Sequence, residues 1–350
     1  MEYIALKNIC KINMGLSPDS SSYNDNKDGI PFFQGNADFG EKYPVTRVWC
    51  NAPIKVAQPN DILISVRAPI GALNFAKEEC CIGRGLAALT PDRSKVSLEF
   101  IYWVLKWKKA ELNSKGTGST FKAISRKVLE ETLVPAIDFE KQYEYAEILG
   151  KTYSVIKKYK KELNCLDGLI KARFVEMFYD KGYPILKWND VFNTTTGKLD
   201  SNAAVEDGEY PFFTCSKEVL RIDKFAFDQE ALLLAGNNAA GKYDVKYYNG
   251  KFNAYQRTYV LGLKEDWSYQ LFRYQLEDKL VYLQQQSLGG LTKYLTMKIL
   301  GKLDFIIPPI EKQIAFEVFA NQVNKSKVAV QKALDETQML FDSLMQEYFN

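Results

Sequence analysis

The chain repeats itself once, and that repeat constrains its fold more than any other feature. Gly29-Ile30-Pro31-Phe32-Phe33 returns as Gly208-Glu209-Tyr210-Pro211-Phe212-Phe213. The apolar run Asp61-Ile62-Leu63-Ile64-Ser65-Val66 before Gly71 has its counterpart in Glu230-Ala231-Leu232-Leu233-Leu234-Ala235 before Gly241. Gly83-Arg84-Gly85-Leu86-Ala87-Ala88-Leu89 aligns loosely with Gln256-Arg257-Thr258-Tyr259-Val260-Leu261, and Gly118-Ser119-Thr120 with Gly290-Leu291-Thr292. Val134-Pro135-Ala136-Ile137 then Glu140-Lys141-Gln142 matches Ile307-Pro308-Pro309-Ile310 then Glu311-Lys312-Gln313. Both copies close alike, at Glu176-Met177-Phe178-Tyr179 and Gln346-Glu347-Tyr348-Phe349. The order is kept at an offset of roughly 170 to 180 residues, the scale of one domain. Such a chain folds as two like modules.

Each copy reads as two parts. The first is β-rich, with short apolar runs broken by Gly, Pro and Asn. Helical pieces interrupt it at Leu98-Glu99-Phe100-Ile101-Tyr102-Trp103-Val104-Leu105 and at Tyr269-Gln270-Leu271-Phe272-Arg273-Tyr274-Gln275-Leu276. The second part is one long Pro-free helix, beginning in copy one near Phe139. Its apolar residues step by three and four through Ile148, Thr152, Val155, Tyr159, Leu163, Leu166, Ile170, Phe174 and Met177. That is the seam of a coiled coil or helical hairpin. Copy two carries a weaker seam through Phe319, Val323, Ser326, Val330, Ala333, Thr337, Phe341, Leu344 and Tyr348. The expected fold is α+β, with two β-rich modules (1–138 and 181–310) separated by two long antiparallel coiled-coil helices (139–180 and 311–350) and related by a pseudo-two-fold. A two-fold pair at fixed spacing suits a reader of two separated half-sites on duplex DNA.

Composition narrows the function classes. The 350 residues include no histidine, which excludes Ser-His-Asp and Cys-His catalysis and any His-ligated metal. The six cysteines, Cys10, Cys50, Cys80, Cys81, Cys165 and Cys215, show no C-x-x-C spacing, so free thiols and no metal site are expected. No 18-residue apolar run and no signal-like N-terminus occur, and a cytoplasmic location is expected. The net charge of +3 is too small to argue for DNA by itself.

The loops carry residues suited to phosphates and base edges. In copy one these are Gln34, Asn36, Arg67, Arg84, Lys115, Ser119, Thr120, Lys122 and Arg126. In copy two they are Lys217, Asn237, Asn238, Lys242, Tyr243, Arg257, Lys293 and Tyr294. Arg pairs with guanine and Asn or Gln with adenine, while Ser, Thr and Lys mostly hold phosphates. Arg84 and Arg257 recur in both copies, which fits either a shared DNA contact or a shared structural role. Gly116-Thr117-Gly118 and Gly289-Gly290 form no P-loop; they read as tight loops near a phosphate or as plain turns.

The run Asp61-Ile62-Leu63-Ile64-Ser65-Val66-Arg67-Ala68-Pro69-Ile70-Gly71, with Cys81-Ile82-Gly83-Arg84-Gly85-Leu86-Ala87-Ala88-Leu89, resembles the specificity (S) subunit of type I restriction-modification systems. Gly118-Ser119-Thr120-Phe121-Lys122-Ala123-Ile124-Ser125 and the closing Val134-Pro135 with Glu140-Lys141-Gln142 are similar to that family too. Copy two departs from it, with Ala235-Gly236-Asn237-Asn238-Ala239-Ala240-Gly241 in place of the Ser65–Gly71 run. The resemblance implies a non-catalytic subunit whose two target-recognition domains each read half of a split, asymmetric DNA sequence. It implies spacer helices that set the gap and dock two adenine-methyltransferase (M) subunits, with a restriction (R) subunit as a further partner. S-adenosylmethionine would be bound by the M subunits and no cofactor by this chain. Two other readings stand beside it: a cytosolic scaffold whose modules bind proteins, and a histidine-free enzyme using carboxylates such as Glu130-Glu131 or Asp223 and Asp228.

Overall fold

The computed structural model describes residues 2–118, 122–239 and 241–350. The chain divides into two compact units, residues 1–161 with 331–350 and residues 162–330. Each of the two 40-residue helices, Phe139–Phe178 and Ile310–Phe349, therefore gives one half to each unit.

In the first unit, Cys10–Met14, Leu86–Pro91, Ile62–Ser65 and Leu73–Phe75 line up in that order as an antiparallel sheet. A second sheet takes Tyr23–Asn24, Trp49–Cys50, Ile30–Phe33, Cys80–Ile82 and Val56–Ala57. Within it Phe32 and Phe33 run parallel to Cys81 and Ile82. In the second unit the matching strands form one six-stranded sheet: Phe192–Thr196, Thr258–Leu263, Phe227–Ala235, Val245–Ala254, Tyr210–Phe213 and Leu220–Ile222. Phe212 and Phe213 again run parallel, here to Asn253 and Ala254.

One break separates the two arrangements. In the first unit Val56 stands opposite Cys81 and Ile62 opposite Phe75, a single register interrupted in the middle. Between them lie Pro59, which has no N–H to give a ladder, and Asn60, held at φ 70°. The second unit has Gln229 and Glu230 at this point, and its strand runs unbroken from Phe227 to Ala235.

Side chains alternate across that strand. Leu232 and Leu234 pack with Val245, Leu261, Phe272 and Leu276, so one sheet face meets the helix Tyr269–Asp278. Ala231 and Leu233 pack with Phe213, Phe252 and Val260 on the other face. Burial of both faces explains why the sequence reads there as an unbroken apolar run.

Each unit pairs the two long helices antiparallel. In the first, Tyr145 stacks on Tyr348 (3.8 Å) and Tyr153 lies against Phe341 (5.6 Å). In the second, Asp167 meets Lys327, and Phe174 and Phe178 meet Phe316 (5.8 and 5.5 Å). Leu166, Ile170, Phe174 and Met177 face this contact as the spacing predicts. Earlier in the helix the buried residues fall one place later, at Leu149 and Ile156, and Val155 is exposed. There the helix also packs on its own module, where Trp103 meets Tyr153 at 5.5 Å, and this turns the buried face. Ser326, expected on the second seam, is exposed; Lys327 takes the inward place.

The strongest point of correspondence is a buried glutamine. Gln142, 4% exposed, accepts from the Ser97 N–H (2.8 Å) and donates to the Ile137 carbonyl (2.8 Å). Gln313, 1% exposed, accepts from the Ser268 N–H (3.0 Å) and donates to the Pro308 carbonyl (2.8 Å). Ser97 and Ser268 in turn cap the helices that follow, accepting from the N–H groups of Phe100 and Leu271. The Glu-Lys-Gln repeat thus ties the start of each long helix to its own module.

Candidate nucleic-acid interface

In each unit the loops that leave the sheet are joined side by side through their backbones. In the first, the Gly85 N–H donates to the Gln34 carbonyl (3.1 Å), Val66 to Gly85 (2.9 Å) and Ile124 to Val66 (2.9 Å). Arg67 then bridges Ala123, which bridges Thr117. In the second, Gly236 donates to the Arg257 carbonyl (2.8 Å) and Leu295 to Gly236 (2.8 Å). Asn237 pairs with Tyr294, and Leu288 bridges Tyr294 on its other side. Four separate loops in the first unit and three in the second are thereby fixed along one edge.

This ladder sets the true register of the repeat. Ser65 stands opposite Leu86, and Ala235 opposite Thr258, so Leu86 corresponds to Thr258. Arg84 then corresponds to Gln256, and Arg257 to Gly85. The recurrence of arginine expected from sequence is one residue out of step. Gly85 is confined because a Cβ there would come within 2.3 Å of the Gln34 carbonyl oxygen.

The edge gathers most of the residues expected from sequence. Gln34, Arg67, Arg84 and Lys122 are exposed, and Asn36 is half-buried at the start of the short turn Asn36–Asp38. The Asp38 carboxylate accepts from the Gln34 N–H (2.8 Å) and the Ser17 hydroxyl from the Arg84 N–H (3.2 Å), which fixes both backbones. Lys115 and Arg126 are also exposed, but their charges are engaged locally, with Glu111 (2.6 Å) and Glu130 (2.7 Å). Hydrogen bonds from Lys108 and Lys115 hold the Glu111 carboxyl below the usual range. Ser119 and Thr120 lie outside the described residues.

In the second unit Lys217, Lys242, Arg257 and Tyr294 are exposed, and Asn237, Asn238 and Lys293 are half-buried. The Lys242 N–H donates to the Asn238 side chain (3.3 Å). Tyr243 does not reach the surface: it is 7% exposed and packs in the core with Leu234, Val245 and Leu283. The alternation that carries Lys242 outward turns the next side chain inward. One exposed edge residue, Leu291, went unread in the sequence, and Gln256 beside Arg257 is exposed as well. For Leu291 the preceding glycine pair was the only local signal.

The chemistry of an enzyme is not assembled from the carboxylates named above. Glu130 and Glu131 pair with Arg126 and Lys127 (2.7 and 3.7 Å), and Asp223 and Asp228 are exposed. Burial pushes the Cys10 and Cys80 thiols up to about 12. Among the described residues no helix is long and apolar enough to cross a membrane.

The architecture is that of a duplicated recognition domain, and comparison with known proteins agrees. A family model described as the type I restriction modification DNA specificity domain matches residues 1–165 and again residues 181–334. The chain belongs to that family, the specificity subunits of type I restriction-modification systems. It is 43% identical over 152 residues to the putative type I restriction enzyme MjaX specificity subunit of Methanocaldococcus jannaschii, a match covering 43% of this chain and 36% of the relative. It is 52% identical over 87 residues to the type I restriction enzyme EcoDI specificity subunit of Escherichia coli, covering 24% of this chain and 19% of the relative. The matched stretches thus span well under half of either relative. The crystal structure of a type I restriction-modification system S subunit from M. genitalium superposes with a TM-score of 0.67 at 15% identity, covering 100% of this chain and 96% of that one. At that identity the likeness is one of fold.

Proposed function

We propose that the chain is a non-catalytic subunit that reads a split, asymmetric duplex DNA target, one half-site per β-rich module (1–138 and 181–310). The observation that carries this reading is one backbone frame dressed differently in each unit. Where the first edge presents Arg67, Arg84 and Ala123, the second presents Asn237, Gln256 and Tyr294. Like frames with unlike side chains read unlike half-sites. Gln34, Asn36, Arg67, Arg84, Ser119, Thr120 and Lys122 contact DNA on one side, with Lys115 and Arg126 at the margin. Lys217, Asn237, Asn238, Lys242, Arg257, Lys293 and Tyr294 do so on the other. The long helices (139–180 and 311–350) set the gap and dock two methyltransferase subunits, which bind S-adenosylmethionine and methylate adenine; a restriction subunit joins the same assembly.

Mapping methylated adenines genome-wide tests this. Replacing residues 1–137 by the matching part of a relative should change one half of the target and leave the other. Lengthening the helices should widen the gap and preserve both halves. A single altered site spanning both halves contradicts the modular reading. Affinity for duplex DNA should also fall steeply with salt, as counterion release requires.

A further inference from the structure

Leu291 is 96% exposed, far more than the other large apolar side chains described. It has company, because Leu288 and Tyr294 are 48% and 40% exposed. The loop that carries it is built rather than loose. Leu288 and Tyr294 exchange both backbone hydrogen bonds (3.1 and 2.8 Å). Gly289 sits at φ 101°, and a Cβ there would come within 2.2 Å of the Thr292 carbonyl oxygen. An ordered backbone thus holds a bare leucine outward.

Its surroundings say what it faces. Tyr294 pairs with Asn237 and Lys293 with Asn238 across the same ladder. Gly241 stands against the Lys293 stem, which places the exposed Lys242 next to the loop. An apolar tip rimmed by amides and ammonium groups suits a surface that is apolar at its centre and anionic at its margins. The major groove has this character, with the thymine C5-methyl as its apolar group and phosphates on both sides. An apolar protein partner would strip water from the lysines without returning a countercharge.

We propose that Leu291 packs against a thymine methyl in the half-site of the second unit, with Asn237 placed to read the adenine of the same or the adjacent pair. The inference rests on the DNA-reading function above. The test uses the chain assembled with its methyltransferase subunits and the duplex defined by the methylation map. Each thymine is replaced in turn by deoxyuridine, which lacks only the methyl group. At one position affinity should fall about fourfold, the factor that burial of one such group supplies. Leu291→Ser should weaken the thymine duplex by at least as much and abolish the further loss with uracil there, while Leu291→Met keeps it. The inference is overturned if Leu291→Ser leaves affinity unchanged, or if its effect is the same on thymine and uracil duplexes at every position. A complex with no preference for any duplex would instead refute the DNA-reading function itself.

Discussion

The two units solve one folding problem with different tolerances. Where they must meet the long helices they agree atom for atom, through Gln142 and Gln313. Where they meet solvent they diverge: a strand broken at Pro59-Asn60 in one runs on through Gln229-Glu230 in the other. Buried polar groups cannot drift, because an unsatisfied one is costly; an edge strand or loop can, because water replaces what is lost. The duplicated chain has therefore kept its fastenings and varied where it meets solvent.

The comparison can be broken most forcefully at the helices. Phe341, 5% exposed, sits between Trp103 and Tyr153 (5.7 and 5.6 Å), and Phe341→Ala should cost about 3–5 kcal/mol in urea unfolding. A loss below about 1 kcal/mol would mean that this half-helix contributes little to the first unit.

The glutamines come next. Gln142→Leu and Gln313→Leu each strand a buried N–H and a carbonyl, so each should destabilise by about 1–3 kcal/mol. The sharper expectation is that the two losses match, measured on the single variants. A large inequality would show that the shared geometry hides unequal roles.

Position 85 tests the shifted register. Gly85→Ala forces a Cβ onto the Gln34 carbonyl and should cost about 1–3 kcal/mol in thermal unfolding. At its counterpart, Arg257→Ala should leave stability within about 0.5 kcal/mol and lower DNA affinity instead. If Gly85→Ala is tolerated as easily as Arg257→Ala, position 85 is not the fixed point that the backbone ladder makes it, and the shifted register loses its support.

The smallest effect belongs to the broken strand. Asn60→Val puts a β-branched residue at φ 70° and should cost about 1 kcal/mol, whereas Gln229→Val, at an exposed place in the continuous strand, should be nearly neutral. Differential scanning calorimetry of the pair decides it.

The sequence made the repeat, both long helices and the α+β class legible, because periodicity and apolar runs follow directly from burial. The apolar run Ile62–Ser65 became a strand, and Leu98–Trp107 a helix, close to their expected bounds. The candidate edge was only partly legible. Arg84 and Arg257 look equivalent in text, and only ladder pairing reveals the one-residue shift. Tyr243 reads as a loop residue beside Lys242, and only the packing of Leu234 and Val245 around it explains its burial. Loop letters carry little information about direction, whereas a long helix repeats its message every turn.

The sharing of the long helices bears on how the protein is made. The first unit includes residues 331–350, whose Phe341, Tyr348 and Phe349 pack on Trp103, Tyr145 and Phe100. During synthesis from the N-terminus, the module formed by residues 1–161 emerges well before the segment that completes it. Its aromatic face waits, uncovered, for roughly ten seconds or more at ordinary translation rates of about 5–20 residues per second. The second unit draws on an unbroken stretch, residues 162–330, and meets no such delay. The half that is translated first is thus the half that finishes last, and exposure to aggregation or to chaperones should concentrate there.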